Sequence, residues 1–121
     1  MVENAIRSAM RSMWTDICTV YEYHPVLNDN KTTTHEEIPV IINEPCRLSF
    51  SKLVQANQTD TAAATPQIVK LFLDENLKIK AGCKIVVKRS DNEFIYGYSG
   101  EAGIFDDHQE IVLIPWEGWA V

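Results

Sequence analysis

The residues with the greatest chemical potential in this sequence are three histidines, three cysteines and one acidic run. Asp106, Asp107, His108 and Glu110 form the densest polar group, which in principle could hold a divalent cation. Zinc and related ions need ligands at set spacings, such as two histidines one helical turn apart with a glutamate between them. Neither His24, His35 nor His108 stands in such a spacing, so the acidic run reads as a solvated turn entering the last strand. Gly97, Gly100 and Gly103 are spaced in threes, but no helix follows them whose N-terminus could receive a phosphate. No serine sits in a Gly-x-Ser-x-Gly elbow, and there is no phosphate loop. Cys18, Cys46 and Cys83 are odd in number and far apart, which argues against a disulfide framework and against a zinc site. They read as small buried apolar residues in a reducing compartment. The expectation is a protein that is not an enzyme and uses no metal or cofactor.

Charge and aromatic placement point to contact with other proteins. The net charge is −6, with 11 basic residues against 17 acidic ones. Tight, sequence-independent DNA binding needs clustered cations, because counterion release drives it. Lys84, Lys88 and Arg89 do lie along one strand, where they either line its wet face or meet an acidic partner. Trp116 and Trp119 follow the last strand, and Trp14 sits where the helical spacing gives way to strands. Such tryptophans either cap the fold or contact a neighbour, since tryptophan is enriched at interface hot spots.

The elements that must position these residues follow from periodicity. In 1–13, Ile6, Met10 and Met13 recur at helical spacing, with Arg7 and Arg11 on another face. This predicts a short N-terminal helix, either a frayed tail or a docking arm. From residue 14 the pattern becomes β. Asp16 to Tyr23 alternates, with Ile17, Thr19, Tyr21 and Tyr23 on one side. Asn28 to Lys31 is a hairpin tip, and Glu37 to Ile42 returns as an edge or bulged strand because of Pro39. Cys46 to Phe50, Ile68 to Leu73, Cys83 to Lys88, Glu93 to Tyr98 and Glu110 to Pro115 complete the set, with a turn at Ser90-Asp91-Asn92 and a polar connection at Ser99 to Asp107. Residues 52–67 are small and polar, a long loop of the kind usually kept for function.

About seven short strands with regular turn signals predict an all-β fold, a small antiparallel β-barrel spanning 14–121 with one long inter-strand loop. No apolar run is long enough to span a bilayer, and Met1 to Met13 lacks the features of a secretory signal, so the chain is expected in the cytoplasm of the cell that makes it. On that expectation the Asn-x-Thr matches at Asn30 and Asn57 are coincidences.

Several ordered motifs carry a resemblance. Pro45-Cys46-Arg47-Leu48-Ser49-Phe50 enters the polar loop. Gln67 to Asp74 follows, then Leu77-Lys78-Ile79-Lys80-Ala81-Gly82, His108 to Leu113 and Gly118-Trp119-Ala120. This order resembles the small head-closure (stopper, minor capsid) proteins of siphophages and prophages of Gram-positive bacteria, and it runs from about Trp14 to the C-terminus. The resemblance implies a non-enzymatic β-barrel that forms a homo-oligomeric ring in the virion neck, although the lone subunit can be monomeric. The ring would sit between the portal and adaptor and the tail terminator or tail tube. It would retain packaged DNA and offer the tail its docking surface, after assembly in the host cytoplasm and without a membrane. It also implies a channel-facing loop, here Gln55, Asn57, Gln58, Thr59, Asp60 and Thr61, in transient non-specific contact with DNA, and makes Trp14, Trp116 and Trp119 candidate contacts to neighbouring subunits or rings. The alternatives are another neck or tail protein (a terminator or adaptor), or a free nucleic-acid-binding barrel of the OB or SH3-like kind. The last would need a basic groove with exposed stacking aromatics.

Overall fold

A computed structural model describes residues 2–52 and 67–119. One helix, α1 (Val2–Arg11), precedes six strands: β1 (Asp16–Leu27), β2 (Thr33–Lys52), β3 (Gln67–Leu73), β4 (Lys84–Arg89), β5 (Asn92–Ile104) and β6 (Gln109–Pro115). They close into one antiparallel barrel in the order β1-β2-β3-β6-β5-β4, with β4 returning to β1. The chain thus builds two meanders, β1-β2-β3 and β4-β5-β6, joined by the segment 74–83 between strands that are not neighbours. Among the described residues no helix is long and apolar enough to cross a membrane.

Closure follows from alternation along each strand, since successive side chains face opposite sides and a small barrel fills its interior with them. Cys18 and Val20 of β1, Cys46 and Leu48 of β2, Leu71 and Leu73 of β3, Ile85 and Val87 of β4, Tyr98 of β5, and Ile111 and Leu113 of β6 form the core. Leu77 and Ile79, from the joining segment, pack against it. All three cysteines are free and buried, as the expected apolar role requires. The Cys46 thiol, hydrogen-bonded to Cys18 and desolvated, is pushed far above its ordinary range and stays protonated.

Two stretches differ from expectation. Glu37 to Ile42 and Cys46 to Phe50 are one continuous strand. The gap between them is strand as well, with Glu44 and Pro45 paired to β1 and a bulge at Asn43, which takes a φ of 51° and whose N–H is received by the Thr19 hydroxyl. The pairing of β1 with β2 shifts register there and again beside Val40. Likewise, much of the polar stretch 99–107 is strand. β5 runs on to Ile104 through an irregularity between Tyr98 and Ala102, where Gly100 has a φ of 94°. An L side chain at that φ would be strained, and its Cβ would also meet the Ala81 Cβ at 3.1 Å.

Candidate functional site

The feature that departs most from a plain barrel is a two-stranded arm. β1 pairs with β4 only from Ile17 to Tyr21, and β2 pairs with β3 only from Arg47 to Lys52. Beyond those limits β1 and β2 pair only with each other, out to Leu27 opposite Thr33. The tip closes through Asn28 N–H to the Thr32 carbonyl at 2.8 Å, with Lys31 at a φ of 65°. The side chains from Thr33 to Val40 are all exposed.

A C-terminal strap, residues 116–119, fixes the arm to the barrel. Trp119 stacks on Tyr23 at 5.0 Å between ring centroids, and Tyr23 stacks in turn on His35 at 5.3 Å. The Trp119 indole N–H donates to Glu37 at 2.9 Å, and Lys84 reaches the same carboxylate at 3.0 Å. Lys84 also lies over the Tyr21 and Trp116 rings, and Trp116 meets Trp119 edge-on at 4.7 Å. The Trp119 hydrogen bond and then Lys84 hold the Glu37 carboxyl below its ordinary range. Trp116 and Trp119 are therefore engaged within their own chain, each still half-buried. Between arm and barrel lies a cleft of about 500 Å³, lined by Glu22, His24, His35, Lys80, Cys83 and Trp119 among others.

Trp14, 7% exposed, belongs to a second cluster. Arg11, at the end of α1, pairs with Asp74 and Glu75 at 2.9 Å each and lies over the Trp14 ring. The helix thus docks on its own barrel. Beneath it is a mostly apolar cleft of about 400 Å³, lined by Ala9, Met10, Met13, Trp14, Arg47, Phe72 and His108.

The acidic run is a solvated turn only as far as Asp106, which is exposed. His108 is buried, with Nδ1 2.7 Å from Asp107, Nε2 2.9 Å from Glu110, and its ring stacked on Phe105. Burial alone would pull its pKa down, but the hydrogen bonds and charges of Asp107 and Glu110 outweigh it and raise the value. With a carboxylate on each nitrogen, the ring is suited to be an imidazolium that locks the β5–β6 turn. No group of three or more candidate ligands that could hold a metal occurs among the described residues.

Two structural polar residues escaped notice in the sequence. Asp16, 2% exposed, accepts both Arg89 Nε and Nη2 and the Leu48 N–H, tying β1, β2 and β4 together. Gln109 donates to the carbonyls of Asp74 and Leu77 and holds the joining segment in place. The position of Gln109, two and four residues before the inward-facing Ile111 and Leu113, was the available signal. Gln55, Asn57, Gln58, Thr59, Asp60 and Thr61 lie outside the described residues. The strands flanking them are nevertheless informative, because Lys52 and Gln67 are direct register partners.

No family model and no curated protein matches the chain. Among solved structures, it is similar to the phage-like element PBSX protein xkdH from Bacillus subtilis. That match is 13% identical, covers 82% of this chain and 91% of that one, and has a TM-score of 0.48.

Proposed function

We propose that the chain is a non-enzymatic structural subunit of a tailed-phage virion, forming a head-closure ring between the portal and adaptor and the tail. The observation that carries this reading is the ordered set of motifs resembling head-closure proteins, running from about Trp14 to the C-terminus. Three physical features agree with it. The barrel is filled by its own side chains, so it is a rigid unit for assembly. The residues that flank segment 53–66, Lys52 and Gln67, are paired, so the barrel's ladder is complete on both sides of it. A net charge of −6 suits a channel wall that touches DNA without gripping it, and Asp60 repeated around a ring would add a repelling band.

In this reading Gln55, Asn57, Gln58, Thr59, Asp60 and Thr61 face the channel, and the ring docks the tail on its far side. The test is electron microscopy of particles from a phage or prophage lacking the gene. The expected result is heads that package and then lose DNA, beside complete unattached tails. Normal infectious particles would remove the reading.

A further inference from the structure

The outside of the barrel carries aliphatic side chains where a solvated sheet would carry polar ones. The strand registers bring them level. Thr19 stands opposite Val86, and Val86 opposite Ile95. On the outward row to one side of these, Ile17 stands opposite Lys88 and Pro45, and on the outward row to the other side Ile114 stands opposite Gly97, which stands opposite Lys84. Ile17, Ile95 and Ile114 are 42%, 44% and 46% exposed. Ile17, Val86 and Ile95 therefore stand on neighbouring outward rows of β1, β4 and β5, with Ile114 of β6 beyond the Lys84–Gly97 row, and exposed aliphatic side chains grouped in this way mark a contact surface. Its charged border is Lys88 beside Glu93. The other two cations of β4 are engaged, Lys84 with Glu37 and Arg89 with Asp16. Lys88 is exposed and has no ion pair among the described residues.

The same chain carries a surface of opposite character. Along the arm, residues 22–44 include Glu22, Asp29, Glu36, Glu37 and Glu44 against Lys31 alone. Glu36 is exposed and has no ion pair among the described residues. Two positions on, and so on the same side of the strand, stands the exposed Ile38, while Leu27 is 74% exposed at the tip. A nucleic acid or an anionic membrane would require a row of cations on the receiving face, which offers Lys88 beside Glu93 and Lys84 already paired with Glu37. A protein hairpin bearing aliphatic residues and a free carboxylate fits that face, and a second copy of this chain supplies one. Its own arm is held back by Trp119 and Lys84.

We propose that the outer face of β1, β4, β5 and β6 receives the arm of a neighbouring copy, with Lys88 meeting Glu36 of that arm. The contact is head-to-tail, two different surfaces of one chain meeting, which is the kind that closes rings. It rests on the ring reading above and names the surfaces that would build the ring.

The test uses particles complemented by a chain with the photo-crosslinking amino acid p-benzoylphenylalanine in place of Glu93, beside Lys88 on the same face. Illumination is expected to give covalent multimers whose crosslinked peptides come from residues 22–44 of a second copy. Adducts to another segment or another protein overturn the inference and leave the ring standing, as does the absence of adducts in particles that contain the chain. Particles without the protein remove the ring reading itself. In parallel, Ile95→Asp is expected to lose its place in particles while its thermal unfolding midpoint stays within a few degrees of wild type. Full incorporation of that variant would equally overturn the inference.

Discussion

Two buried ionic groups act on opposite flanks of the pH range. Hydrogen bonding to Arg89 holds the Asp16 carboxyl below its ordinary value, against a desolvation that would raise it, and the Leu48 N–H adds to the effect. A carboxylate with a depressed folded pKa contributes stability above its unfolded value near 3.9, and loses it as pH falls through the folded value. Asp16→Asn leaves Arg89 without its counter-charge, although the Arg89 side chain is 39% exposed and water offsets part of the loss. The expected cost at pH 7 is about 2–4 kcal/mol, with a shallower loss of stability toward acid, measured by urea unfolding at a series of pH values. His108 has the opposite sign. Its folded pKa is raised, so its contribution is complete below about 6.5 and is lost as pH rises through the folded value. His108→Asn should therefore cost about 1–3 kcal/mol at pH 6 and less at pH 9. A variant as pH-dependent as the wild type between those values would show that the Asp107–His108–Glu110 clamp is not charged.

At the scale of elements, the arm and strap behave as one mechanical unit. The β1–β2 ladder shifts register at Val40 and Asn43, and the C-terminal strap holds the arm through the contacts of Trp119 with Tyr23 and Glu37. Trp119→Ala removes an aromatic stack and a hydrogen bond, together worth about 1–2 kcal/mol locally. Amide exchange in 22–27 and 33–40 should then quicken by roughly 5–30-fold, while that of β3 and β6 stays unchanged. Unaltered arm exchange would mean that the arm is held by its own ladder. Much of this architecture was legible in the sequence. Pro39 announced a bulged strand, alternation placed Ile17, Thr19, Tyr21 and Tyr23 together, and the hairpin tips fell where Asn28–Lys31 and Ser90–Asn92 indicated. The merged β2 was not legible, because Asn43-Glu44-Pro45 has turn chemistry and what keeps it in the ladder is the pairing of Cys18 with Glu44, Ile17 with Pro45 and Asp16 with Cys46, residues far away in the sequence. Nor was the docked α1, since its hold comes from Asp74 and Glu75, more than sixty residues away. The burial of His108 escaped for a similar reason: an acidic run looks wet until its carboxylates are seen to face a cation.

For the whole molecule, the decisive relation is between the closed barrel and the segment of sequence that joins β2 to β3. β2 and β3 are register partners from Arg47–Phe72 to Lys52–Gln67, so residues 53–66 join two strand ends that already face each other. A tight turn can join the same ends. Replacing 53–66 by a two-residue Asn-Gly turn shortens the connection about sevenfold, which lowers the closure entropy by about 1.5–2 kcal/mol. The shortened protein should therefore unfold at a higher temperature, by about 4–8 °C for a domain near this size. Function should move the other way. If the segment obstructs a channel once subunits form a ring, particles built with the shortened chain should assemble and attach tails, yet lose packaged DNA. The paired readout separates the possible roles of the segment. A more stable protein with leaking heads gives 53–66 a task at the channel and none in the fold. A more stable protein with full, retentive heads would remove the channel role and leave the ring as a docking collar. A destabilised protein would show that the segment packs on the barrel, and its polar, small-residue composition would then need another explanation.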